Sequence, residues 1–399
     1  MTCALVYFLD GLVHTIMGPL APEFAPALRI DSTDLGPIFS ANLIGQCIGL
    51  IAFPPVAARF GDRWTVGLTL AGFGAAQAAT GLAGSATDLF WMRLLTGVLL
   101  GGCLPSCLAM VTAATPDRRR GLAITGLLTG YGLGAAMAGM VAVAFVGLGG
   151  WRVAMAAIGI MCLASSVVAL IFLRNVADRA ASTEGMQPDA SHEPGPNPLS
   201  LLSPRYRLGT SMLWLVFISM LTISYCLSSW LPVLLVRLGH DSAFAAMALS
   251  IFSFGGIVAA LCVGLLIDRY GALRVIVAFM LMSAVLFLAT GQIMGQSSAY
   301  VLQAMLALCG FFALGAYAGV NVILASFYPH RLRSTGIGWA KSVGRIGTVA
   351  APVLIGSQLK AGIAETTILA SFAVPAVVAA VALLAMNVFK GPGIAAEGP

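Results

Sequence analysis

Charge is scarce in this sequence. Asp, Glu, Lys and Arg make up 9% of its 399 residues while 59% are hydrophobic, and soluble domains carry about 25% charged residues. A water-soluble core is excluded by that balance. Cysteines are few and unclustered: the eight, at positions 3, 47, 103, 107, 162, 226, 262 and 309, fall inside apolar runs with no C-x-x-C spacing. That excludes a disulfide framework and a thiolate metal site, and no metal or cofactor is expected. The first apolar run contains Asp10 and passes into "GPLAPEF" without a small-residue cleavage site, so no cleavable signal peptide is read there. There is no H-x-x-x-H pair or nucleophile elbow in a suitable setting, which argues against an enzyme. A net charge of +6 raises the question of nucleic acid, but the basic residues sit in short loops between apolar runs, where they report topology.

What is present is a series of apolar runs long enough to cross about 30 Å of hydrocarbon. The predicted spans are 3–22, 38–58, 64–84, 88–113, 121–148, 152–173, 208–236, 242–267, 273–294, 298–326, 334–358 and 363–389. The expected fold class is therefore an all-α membrane protein with twelve transmembrane helices in two six-helix bundles. The predicted organisation is an N-terminal bundle (1–173), a linker (174–207), a C-terminal bundle (208–390) and a tail (391–399). The linker, rich in Pro, Ser, Gly and mixed charge, reads as flexible.

Orientation follows from the basic residues. Fourteen, namely Arg59, Arg63, Arg118, Arg119, Arg120, Arg174, Arg179, Arg205, Arg207, Arg269, Arg274, Arg331, Arg333 and Lys390, fall on one side. Only Arg29, Arg152, Arg237 and Lys360 fall on the other. The bias predicts a bacterial inner-membrane protein with both termini and the linker in the cytoplasm. Arg93, Lys341 and Arg345 remain inside helices.

The halves echo each other. "PPVAARFGDRW" (54–64) and "GLLIDRYGALR" (264–274) each follow the second helix of their half and share R-[FY]-G. Paired six-helix repeats with a binding site between them are a transporter arrangement. "GLLIDRYGALR" resembles the G-x-x-x-D-R-x-G-R-R loop of the major facilitator superfamily. "LDGLVHTIMGPLAP", "RLLTGVLLGGCLP", "SSWLPVLLVRLGHD" and "YPHRLRSTGIGWAKSVGRIGTVAAP" resemble its aromatic acid/proton symporter branch. That resemblance implies uptake of small aromatic carboxylates driven by the proton gradient through alternating access, with protons and lipid as the other partners and a monomer expected. It also exposes departures. Val13 stands where the branch has a second acid, with His14 beside it. Ala58 replaces the carboxylate of the first loop, Asp62 takes a normally basic position, and Ala113 replaces the acid before Pro116. The chain begins shortly before Asp10, which leaves room for an upstream start. These losses keep open a facilitator or exchanger of organic anions without proton coupling, and a non-transporting sensor.

Candidate site residues follow from the cost of charge in hydrocarbon, roughly 2.5–3.5 kcal/mol per cation at mid-membrane. Arg345 carries a planar fork suited to a carboxylate, with a structural ion pair as the alternative. Lys341, one turn away, can supplement it, meet a second anionic group, or reach toward the cytoplasm. The branch usually has a neutral residue there. Asp10 is the clear intramembrane acid and the expected proton site, against a fixed salt bridge. His14, one turn above, is a relay or a plain hydrogen-bond donor. Arg93 is read as structural or coupling. Asp268, Arg269 and Arg274 are read as a conformational latch. Asn42, Gln46, Tyr225 and Asn321 are further substrate-binding candidates, while Trp230 and Trp339 are expected at the membrane interfaces. The glycine-rich "TGYGLGAAMAG" (129–139) predicts close helix approach and lacks the Gly-Pro pair of many drug/proton antiporters, which disfavours export.

Overall fold

The computed structural model describes residues 2–173, 198–295 and 297–388. The helices are α1 (Thr2–Thr15), α2 (Met17–Ala27), α3 (Leu35–Phe60), α4 (Asp62–Thr80), α5 (Ala86–Ala114), α6 (Asp117–Phe172), α7 (Arg207–Arg237), α8 (Ser242–Tyr270), α9 (Ala272–Ile293), α10 (Ala299–Phe327), α11 (His330–Lys360), α12 (Glu365–Ser371) and α13 (Ala373–Val388). Short 3-10 turns cover Ser32–Asp34 and Pro198–Leu202. Among the described residues, nine helical stretches are long and apolar enough to cross a membrane. The predicted linker over 174–197, the tail over 391–399, and Arg174, Arg179 and Lys390 lie outside the described residues, as do the side chains of Arg118, Arg120 and Arg331.

Two predicted runs divide for identifiable reasons, and the boundary between two others is kept. The first run divides at Ile16 because Pro19 has no N–H to give the carbonyl of Thr15. Ile16 itself keeps helical angles (φ −59°, ψ −23°), so the rod is nearly continuous. Pro375 does the same after Ser371, separating α12 from α13. Runs 121–148 and 152–173 stay two helices: the Asp117–Phe172 stretch, α6, is helical on both sides of a kink. It breaks at Gly149 (φ 174°, ψ 21°) and Gly150 (φ 80°, ψ −177°), between the two predicted spans. α5 begins on a side-chain cap: Ser85 Oγ accepts from Asp88 N at 3.2 Å, and Asp88 Oδ2 accepts from Gly84 N at 3.1 Å.

The helices gather into two compact units. The first holds the described residues before the 174–197 gap together with Ser229–Ser250; the second holds the rest, so α7 divides at Ser228 and α8 at Ser250. Within the first unit, glycines set the spacing. A Cβ on Gly45 would strike the carbonyl of Leu94, on Gly49 that of Val98, on Gly97 that of Asn42, and on Gly101 that of Gln46. α3 and α5 thus lock through reciprocal G-x-x-x-G pairs, 45/49 against 97/101. Gly130 and Gly134 of α6 likewise sit on the backbones of Ala4 and Phe8 in α1, and Gly11 of α1 sits on Tyr131.

Trp230 corrects its expected placement. It is fully buried, edge-on to Phe39 with ring centroids 5.4 Å apart. The C-terminal end of α7 packs on α3 within this unit, which covers the indole with protein.

The second unit is built on a core from α7, α8, α9, α10, α11 and α13, including Phe217, Met220, Ile276, Met280, Val320 and Leu383. Leu201, at the end of the predicted linker, is buried in this core. Its carbonyl accepts from Thr210 Oγ1 at 3.0 Å, and Tyr328 Oη donates to Thr210 Oγ1 at 3.0 Å. The 3-10 turn is therefore part of the unit.

The repeat seen in the sequence reappears in the backbone. Gly61 (φ 82°, ψ 150°) and Gly271 (φ 84°, ψ 143°) adopt the same glycine-favouring turn. Each amide donates back four residues at 2.8 Å, to Ala57 and Ile267. Arg59 lies 5.5 Å over the Phe60 ring and Arg269 lies 5.3 Å over Tyr270.

Candidate functional site

The sequence candidates separate into two groups, one in each unit. In the first, α1 presents Asp10 and His14 one turn apart. Asp10 is 3% exposed. Gln46 on α3 lies within hydrogen-bonding distance of His14, its Nε2 3.4 Å from Nδ1. The Tyr131 ring of α6 stands 6.1 Å from the His14 ring and 5.3 Å from Tyr7. Gly11 makes this possible, since any side chain there would push α6 away. A titratable acid, an imidazole, an amide and two phenols thus come together where α1, α3 and α6 meet. Cys103, Cys107 and Cys162 lie within electrostatic reach of Asp10.

Arg93 lies on α5, outside the three helices that form that cluster. It is completely buried, and none of its three guanidinium nitrogens has a hydrogen-bond partner among the described residues. It therefore forms no salt bridge to Asp10. Gly97, one turn further along α5, sits on the backbone of Asn42, whose side-chain oxygen and nitrogen are also buried without partners. Buried polar groups are nearly always satisfied, so an unsatisfied guanidinium and carboxamide in one region call for a functional account.

In the second unit, α11 carries Lys341 and Arg345. Because α11 begins at His330, earlier than predicted, Arg345 lies about 22 Å along the helix axis from its start. One side of α11 packs on α7: Gly344 meets Phe217 and Leu221, and Gly347 meets Ile218 and Thr222. Trp339 stacks on Trp214 of α7 at 6.1 Å and is exposed. Tyr317 on α10 is within electrostatic reach of both Arg345 and Tyr225. The sequence reading missed Tyr317; its signal was its place one turn before Asn321 on an otherwise apolar helix. Asn321 itself spends its amide on its own helix, Nδ2 donating to the carbonyls of Tyr317 at 3.0 Å and Ala318 at 3.3 Å. Arg345, Tyr225 and Tyr317 together supply a cation and two phenols, which suits an aromatic anion.

Asp268, Arg269 and Arg274 sit at the exposed α8–α9 turn around Gly271. Their first-half counterpart is wired differently, with Arg63 Nε donating to the carbonyl of Leu170 at 2.9 Å.

Comparison with known proteins gives the frame for these groups. The sequence matches the Major Facilitator Superfamily over residues 3–251 and 237–395. The chain belongs to that superfamily. It is thereby placed among membrane transporters and not among enzymes. It is similar to the 4-hydroxybenzoate transporter PcaK of Pseudomonas putida, with 30% identity over 96% of this chain and 91% of that one. It is also similar to a gallate transporter of Pseudomonas putida, with 28% identity over 96% and 90%. Its fold is similar to that of a D-xylose-proton symporter, with a TM-score of 0.76 and 14% identity, covering 100% of this chain and 98% of the other.

Proposed function

We propose that this transporter imports small aromatic carboxylates across the bacterial inner membrane by proton symport with alternating access. The observation that carries the reading is Arg345, well along α11 with Tyr317 within its electrostatic reach and Tyr225 within that of Tyr317. A guanidinium fork binds a carboxylate bidentately, and phenols flank a ring. The relatives whose names specify hydroxybenzoate and gallate agree with this substrate class. Proton coupling rests on Asp10, with His14 and Gln46 beside it. Arg93, buried and unpaired, holds positive potential in the same unit.

Twelve spans with both termini inside remain the topology we favour. To the nine apolar stretches, α4 and α11 add two whose small or polar residues depress their hydropathy, and the break in α6 makes two spans of one. The Asp268, Arg269 and Arg274 loop serves as a latch, and the transporter works as a monomer.

The test is uptake of labelled benzoate and 4-hydroxybenzoate into proteoliposomes, with and without a pH gradient. Accumulation that needs the gradient supports symport. Uptake indifferent to it supports the facilitator reading, which the missing acids at Val13, Ala58 and Ala113 favour. No uptake of any aromatic acid removes the substrate class.

A further inference from the structure

The outward surface of α11 divides into two arcs. On one arc lie Trp339, Ile346, Val353 and Leu354, all exposed and apolar. On the other lie Lys341, exposed, and Arg345, partly so. At 100° per residue, Lys341 and Arg345 point within about 40° of each other and away from the apolar arc. The apolar arc suits lipid, whereas ionisable side chains within spans face a protein interior or water. Lys341 is thus on the aqueous side of its helix, with Arg345, and does not point into lipid.

Lys341 has no hydrogen-bond or ion-pair partner among the described residues, so no acid of this unit accounts for its charge. Two cations at i and i+4 repel each other on a helix. The arrangement is unfavourable in isolation and becomes favourable when a ligand brings negative charge to both. A single carboxylate occupies one guanidinium fork and leaves the ammonium unmet.

We propose that Lys341 supplies a second anion contact one turn from Arg345, making this transporter selective for aromatic acids with two ionised groups. The proposal rests on reading Arg345 as the carboxylate-binding residue and adds the charge of the cargo. The spacing is compatible: i and i+4 side chains start roughly 5–6 Å apart, of the same order as the separation of meta or para carboxylates on a benzene ring. A phenolic hydroxyl, ionising only near pH 10, does not count as the second charge. Benzene-1,4-dicarboxylate and 4-hydroxybenzoate are therefore a matched pair, alike in shape and different in charge.

The experiment is calorimetric binding of those two acids to the purified full-length chain and to Lys341→Met, Lys341→Arg and Arg345→Gln. Wild type should bind the dicarboxylate about tenfold more tightly, the worth of one charge-assisted contact. Lys341→Met should erase that preference by weakening the dicarboxylate about tenfold more than 4-hydroxybenzoate, and Lys341→Arg should retain it. Arg345→Gln should weaken both acids. A wild type without the preference overturns the proposal, as does a Lys341→Met that weakens both acids equally, and either result leaves the Arg345 reading standing. Undiminished binding of both acids by Arg345→Gln instead removes the reading on which the proposal rests.

Discussion

Replacing Arg345 with glutamine removes the charge and one half of the planar fork while preserving most of the side chain's length. A hydrogen bond to a charged group contributes about 1.5–3 kcal/mol, and a bidentate pair contributes two that share one geometry. Arg345 is partly exposed, so solvent screening reduces the total toward the worth of one strong contact. The expected loss is about 2–3 kcal/mol, or roughly 30- to 150-fold in affinity for 4-hydroxybenzoate. Arg345→Lys restores the charge without the fork and should recover less than half of that free energy. Calorimetry on purified protein gives the affinities, and a thermal unfolding midpoint near that of wild type establishes that α11 still packs on α7. A glutamine variant that keeps its fold and binds within about threefold of wild type would falsify the assignment.

Asp10→Asn should abolish accumulation driven by a pH gradient yet retain exchange of labelled for unlabelled substrate, because exchange requires no net proton release; accumulation at the wild-type level would put the proton route elsewhere. His14→Gln should shift the pH optimum of uptake by less than Asp10→Asn changes coupling, and an unchanged optimum would make the imidazole a plain hydrogen-bonding group. Gly271→Ala should destabilise the fold by about 1–3 kcal/mol because an alanine is strained at φ 84° and ψ 143°, to be read as a lowered unfolding midpoint; no change would mean that the turn relaxes. A reporter fused after residue 190 should be active only as a cytoplasmic reporter, and periplasmic activity there would reverse the proposed topology.

Much of the helical framework could be read from one dimension because hydrocarbon imposes a length and a composition. The break in α6 at Gly149 and Gly150 fell in the gap between two predicted runs, since two glycines ahead of Trp151 interrupt the apolar run. The R-[FY]-G skeleton announced two equivalent turns because their φ values leave glycine as the residue of choice. Burial direction was harder to read. Trp230 was expected at an interface, where tryptophan is commonly found, yet it closes against Phe39, a residue nearly two hundred positions away in sequence. Tyr317 escaped notice because its one local signal, a place one turn before Asn321, does not separate cavity from core. Only the fold brings it to Arg345 and Tyr225. Leu201 was assigned to a flexible linker from the composition around it, but its side chain is buried in the second unit's core and its carbonyl accepts from Thr210, which ties the turn down.

The glycine contacts between α3 and α5 have a mechanical consequence. Where two helices touch backbone to backbone, no long side chains lie between them to change rotamer and absorb displacement. Gly45 and Gly49 against Gly97 and Gly101 therefore couple the pair as one stiff beam, which carries Asn42 and Gln46 on one member and Arg93 on the other. Displacing either helix therefore carries the other with it, and the turn that holds Arg93 keeps its register against the one that holds Asn42 and Gln46.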